Sequence, residues 1–167
     1  MKCSLVLFSY HHNNTRQIAE VLAKVLDADI KAPEQVVPEA LADHDLIGFG
    51  SGIYDGKNHP TLLDLADRMP HVTNGKAFIF STCGGPGFSV DGENGRFDQY
   101  PLSNHSHLRA ILRLKGYDII DEFACAGFNT NSFLRYFGGL NKGRPNAKDL
   151  KNAEAHAHRI KRQMEEG

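Results

Sequence analysis

Short apolar runs alternate with longer amphipathic stretches along this chain. The first run, SLVLFS from Ser4 to Ser9, passes into polar YHHNNT and then into RQIAEVLAKVL. Apolar residues in that last stretch recur every three or four positions, which predicts a strand, a loop and a helix over about Asn14 to Leu26. A short ADIKA strand and a weak helical turn, Pro38 to Asp43, lead to the apolar strand DLIGFGS, Asp45 to Ser51. TLLDLADRM reads as a helix with Pro60 at its favoured first-turn position. KAFIFST, Lys76 to Thr82, is the fourth strand, and a Gly-rich stretch runs on to about His105. HLRAILRLKG reads as a helix stopped at Gly116. DIIDEFACAG is the fifth strand, and a closing helix covers about Asn146 to Met164. Five strands of near-continuous apolar character, each followed by helix, predict an α/β fold. The expected architecture is a doubly wound parallel sheet in three α/β/α layers, as a single domain over residues 1–167. Ligands of such sheets sit at the carboxyl ends of the strands.

Composition narrows the chemistry by exclusion. With 19 basic and 20 acidic residues the formal charge is −1, which argues against nucleic acid or an anionic membrane as partner. No apolar run approaches the length of a membrane span and no signal-type segment opens the chain, so a cytoplasmic protein is expected. Three cysteines, Cys3, Cys83 and Cys125, form no CxxC, and nine histidines are scattered, so neither a disulfide framework nor a metal site is expected.

Candidate chemistry lies in the loops after strands one, three and four. The first loop, Ser9, Tyr10, His11, His12, Asn13, Asn14 and Thr15, opens a helix whose unpaired N–H groups and dipole favour an anion. It has hydroxyls, amides and imidazoles but no lysine, so it suits one small phosphate better than a nucleoside triphosphate. The second loop, Ser51, Gly52, Ile53, Tyr54, Asp55 and Gly56, puts an aromatic beside a turn pair; rim packing and an ordinary turn are the plain alternatives. The third, Thr82, Cys83, Gly84, Gly85 and Phe88, offers glycines that let backbone approach a flat ligand, with core packing as the alternative for Phe88.

These three loops, taken together at those strands, resemble the flavodoxin family. The family's phosphate loop reads roughly [ST]-x-T-G-[NS]-T, and SYHHNNT matches it at Asn14-Thr15, with Asn13 at the family glycine and histidines at hydroxyl positions. FGSGIYDG is similar to the family's second flavin loop and TCGG to its third. The resemblance implies strand order 2-1-3-4-5, FMN as cofactor and redox proteins as partners, with the chain a monomer or weak dimer. The Asp55-Gly56 pair itself suggests a type I or II turn with Gly56 at its third position, in which the Asp55 carbonyl can rotate toward the flavin. Two departures stand out. The family is usually strongly acidic whereas this chain is nearly neutral, so weak long-range steering is expected, with polar loops choosing the partner. The segments 86–105 and 127–146 are long for connections: surface decoration, or lids and partner contacts. The expected function is one-electron transfer. The alternative is an FMN-dependent reductase using NAD(P)H, a quinone or protoporphyrinogen. A signalling receiver domain is discounted, because His11-His12 stand where its paired acids belong.

Overall fold

The computed structural model describes residues 1–85 and 102–166. Its strands are β1 (Cys3–Phe8), β2 (Asp29–Lys31), β3 (Leu46–Tyr54), β4 (Lys57–Asn58), β5 (Gly75–Cys83) and β6 (Tyr117–Ala126). The α-helices are α1 (Asn14–Leu26), α2 (Pro60–Arg68), α3 (Ser106–Leu114) and α4 (Ala147–Glu166). Shorter 3₁₀ turns cover Pro33–Gln35, Pro38–Asp43 and Ser132–Phe137. None of the described helices is long and apolar enough to cross a membrane.

Five strands pair in parallel in the order β2-β1-β3-β5-β6, which is the expected topology. The sixth strand is an addition. Lys57 and Asn58 turn back on Tyr54 and Ile53 as an antiparallel hairpin, a pairing too short and polar to show in the apolar pattern. Its turn is Asp55-Gly56, and both residues have positive φ, 49° and 76°. That is the habit of a two-residue type I′ hairpin, not the type I or II turn expected. In the mirror-image turn, rotating the central peptide places its burden on Asp55, so a freely rotating Asp55 carbonyl is corrected here.

Strand alternation sends Cys3, Leu5, Leu7, Phe78 and Phe80 to one face of the sheet. They pack on Ile18, Leu22 and Leu26 of α1 and Ala153, Ala157 and Ile160 of α4. The other face carries Val6, Ile47, Phe49, Ala77 and Ile79 against Leu62 and Leu65 of α2 and Leu108 and Leu112 of α3. Two glycines of β3 make room for the phenylalanine rings. A Cβ on Gly50 would lie 2.1 Å from the Phe80 ring, and one on Gly48 would lie 2.5 Å from Phe78 and Leu5. Such overpacking typically costs about 1–3 kcal/mol. Gly50→Ala should therefore lower unfolding free energy by about that amount in urea titration, while Val37→Ala at a 62% exposed position should change it by less than about 0.5 kcal/mol.

Candidate functional site

The turn between β1 and α1 is compressed by two successive left-handed residues, His12 and Asn13, each with φ of 53°. Asparagine and histidine adopt this region more readily than most residues, which is how Asn13 can stand where a glycine is expected. Asn13 caps α1 with its carbonyl, which accepts from the Gln17 N–H at 3.0 Å; its side chain makes no cap bond. The Asn14 N–H reaches the His11 carbonyl at 3.4 Å, and the Arg16 N–H donates to Ser9 Oγ at 3.2 Å. The Thr15 N–H finds no acceptor among the described residues. An unpaired donor at the positive end of the helix dipole is an anion-directed group.

Tyr54 is held at the other side of this turn. Its ring meets the edge of His59 with centroids 4.9 Å apart, and His59 stacks on Phe8 at 3.6 Å. A Cβ on Gly52 would lie 3.1 Å from the Tyr54 ring, so glycine there lets the ring lie against the strand. His59 Nδ1 lies 2.8 Å from Thr61 Oγ1 and accepts from the Thr61 N–H at 3.3 Å, capping α2. Burial lowers the His59 pKa against the opposing pull of Glu34, so the acceptor form needed for that cap is favoured. Burial also raises the pKa of Tyr54, keeping it a neutral phenol.

The remaining wall comes from the ends of β5 and β6. Thr82 Oγ1 bonds Thr15 Oγ1 at 2.9 Å, tying β5 to the first turn of α1. Asn14 Nδ2 donates to the Phe128 carbonyl at 2.8 Å, and Asn129 Nδ2 donates to the Gly84 carbonyl at 2.9 Å. A Cβ on Gly84 would lie 2.6 Å from Asn129, so only glycine allows this approach. Together these segments form an open cleft of about 70 Å³, lined by Ser9, Tyr10, His11, Asn14, Thr15, Gly52, Ile53, Tyr54, Thr82, Gly84, Phe128, Asn129 and Asn131.

Residues 5–106 match the model of the flavodoxin domain family. This chain belongs to that family. It is 42% identical over 160 residues to an uncharacterized protein of Methanocaldococcus jannaschii, covering 96% of this chain and 98% of that one. Flavodoxin 2 of Bacillus cereus superposes with a TM-score of 0.69 at 16% identity, over 98% of this chain and 99% of the other. A Fusobacterium nucleatum flavodoxin bound to flavin mononucleotide gives 0.62 at 13% identity, covering 98% and 99%.

Ten of the expected site residues line the cleft of this flavodoxin domain, and others do not reach it. Ser51 is fully buried, its Oγ accepting from Asn58 Nδ2 and the His59 N–H. Cys83 packs with Ala126 and Ile53. His12 turns away to Thr130 Oγ1 at 2.8 Å and to the Phe128 ring, while Asn13, Asp55, Gly56 and Gly85 form turns outside the lining. Phe88 lies outside the described residues. Phe128, Asn129 and Asn131 were missed; the asparagines of GFNTN were the available signal. All three cysteines are free and buried, and burial pushes the Cys3 thiol up to about 12. Among the described residues no three His, Cys, Asp or Glu side chains gather as a metal site requires.

A second constellation has the order of a hydrolase triad. Ser81 Oγ lies 2.7 Å from His105 Nε2, and His105 Nδ1 lies 2.8 Å from Glu122 Oε2. Ser81 and His105 are both 0% exposed, so no substrate reaches the hydroxyl. The chain instead pins the start of α3 to β5 and β6, and Arg109 clasps both oxygens of Glu122 at 2.6 and 2.7 Å. Burial pushes the Glu122 pKa up, but the hydrogen bonds from His105 and Arg109 outweigh it and leave the carboxyl below its ordinary value. A carboxyl lowered by folding stabilises above its unfolded pKa of about 4.3, and that stabilisation is lost as pH falls through the lower folded value. Glu122→Gln should thus reduce stability at neutral pH and flatten the decline below about pH 4.3 in acid unfolding followed by circular dichroism.

Proposed function

We propose that this flavodoxin domain binds FMN in the cleft and carries electrons between redox proteins. The observation that carries the reading is the convergence in one cleft of Thr15 at the start of α1, the Tyr54 ring, and the Asn129 side-chain amide bonded to the Gly84 carbonyl. The donor set fits the cofactor. Ser9, His11 and Thr15 would hold a phosphate dianion without a lysine, Tyr54 would supply an aromatic face, and Asn129 and Asn131 would supply amide contacts. The FMN bound to the Fusobacterium relative supports the same assignment. Flavin, when bound, supplies the redox chemistry, and the protein's part is to orient it and control its surroundings.

Carriage is favoured over catalysis by the lining itself. The described residues of the cleft include no carboxylate, lysine or arginine, and His11 is their one imidazole. An electron carrier needs only the cofactor's exposed edge and no charged side chain in the lining. The buried free thiols fit a reducing, cytoplasmic setting.

Fluorescence titration tests the reading. FMN should bind at least about 100-fold more tightly than riboflavin, since charge-assisted bonds to phosphate contribute roughly 1.5–3 kcal/mol each. Equal affinities would refute the phosphate assignment. Tyr54→Ala should weaken FMN binding by roughly 0.5–1.5 kcal/mol beyond the area it uncovers, and an unchanged dissociation constant and spectrum would remove Tyr54 from the site.

A further inference from the structure

The loop after β6 has an anchored root and a bare tip. Its root is fixed by the antiparallel bridge between Asn129 and Leu140 and by the contacts of Phe128 and Asn129 to the cleft. Asn131 still lines the cleft, and the 3₁₀ turn Ser132–Phe137 begins at the next residue. There Phe133, Tyr136 and Phe137 are 64%, 73% and 80% exposed, and Tyr10, on the cleft's own lining, is 75% exposed. The Phe133 and Phe137 rings lie edge to face with centroids 6.4 Å apart, and exposed aromatics grouped in this way mark interaction sites.

Charge identifies what the tip meets. Between Glu122 and Asp149 the sequence has no Asp or Glu, yet it holds Arg135, Lys142, Arg144 and Lys148. Arg144 is committed to Asp149. Arg135 bonds its neighbour Tyr136 Oη at 2.7 Å and lies 4.8 Å from that ring's centroid, and Lys142 is exposed, with no ion pair among the described residues. The near-zero total charge therefore hides an acid-free stretch beside the cleft. Shape excludes a nucleotide in favour of a protein, because nucleotide sites are concave whereas these side chains project from a turn and none lines the cleft. Exposed Tyr, Phe and Arg are the residues enriched in protein interfaces.

We propose that Phe133, Arg135, Tyr136, Phe137 and Lys142 form the docking surface for an acidic redox protein that exchanges electrons with FMN in the adjacent cleft. The proposal rests on the FMN-carrier reading above and reverses the charge relation expected of the family. The arginine and lysine supply steering, and the aromatics supply the desolvated centre of the interface.

Stopped-flow electron transfer on the FMN-loaded protein tests it, with an acidic [2Fe–2S] ferredoxin and a basic cytochrome c as the two probes. The ferredoxin reaction should slow about fivefold or more as salt rises from about 20 to about 300 mM, and the cytochrome reaction should not slow. Arg135→Glu with Lys142→Glu should slow the ferredoxin reaction by a similar factor at low salt and abolish its salt dependence. Tyr136→Ser with Phe137→Ser should slow it at every salt concentration. All variants should keep the parent's flavin spectrum and FMN affinity. Parental ferredoxin rates in both variants, or faster transfer to cytochrome c that salt suppresses, would overturn the proposal. So would NADPH oxidation lost in the charge variant, or dimerisation lost in the aromatic variant, since a nucleotide or a second copy would then occupy the tip. A chain that takes up no flavin would instead refute the carrier reading, and the docking surface would fall with it.

Discussion

The functional edge depends on how sharply the chain reverses between Phe8 and Asn14. A strand buried on both faces must become a helix lying across the sheet, and only five residues separate the two. The reversal is achieved by holding His12 and Asn13 in the left-handed region, at a local cost of order 1–3 kcal/mol each. The surrounding structure must therefore over-determine the turn, and it does. Thr15 is tied to Thr82, Asn14 to the Phe128 carbonyl and His12 to Thr130. The result is a helix whose first turn stands at the sheet edge, on the lining of the cleft.

The same contacts organise the opposite side of the cleft. Asn14 and His12 hold the root of the loop after β6, so the conformation that aims the start of α1 also fixes where the aromatic tip stands. His59 plays the matching part for Tyr54, stacked on Phe8 at the end of the very strand that enters the turn. Cleft, aromatic wall and exposed tip thus share one mechanical origin at the carboxyl end of β1.

Much of this was legible in the sequence because strand, polar loop and helix follow one another without interruption. Periodicity placed α1 and the five parallel strands, and buried apolar runs required helices on both faces. Other features are set by tertiary contact and leave no periodic mark. The β4 hairpin is two polar residues, and the role of Asn129 exists only because Gly84 lies beneath it. Ser51 and Cys83 looked like loop residues because the strands run beyond their apolar cores, to Tyr54 and Cys83. Total charge is silent on how charge is distributed along the chain. Averaging over the chain concealed the acid-free stretch after Glu122, which a local count would have exposed.

In the proposed complex the start of α1 receives the FMN phosphate as a desolvated dianion. Phosphorus NMR of the FMN complex between about pH 5 and 8 tests it directly, because a free phosphate monoester titrates near pH 6. A phosphate held by helix N–H groups should give one resonance, displaced from that of free FMN and constant across the range. A resonance that follows the titration of free FMN would place the phosphate in solvent and contradict the account.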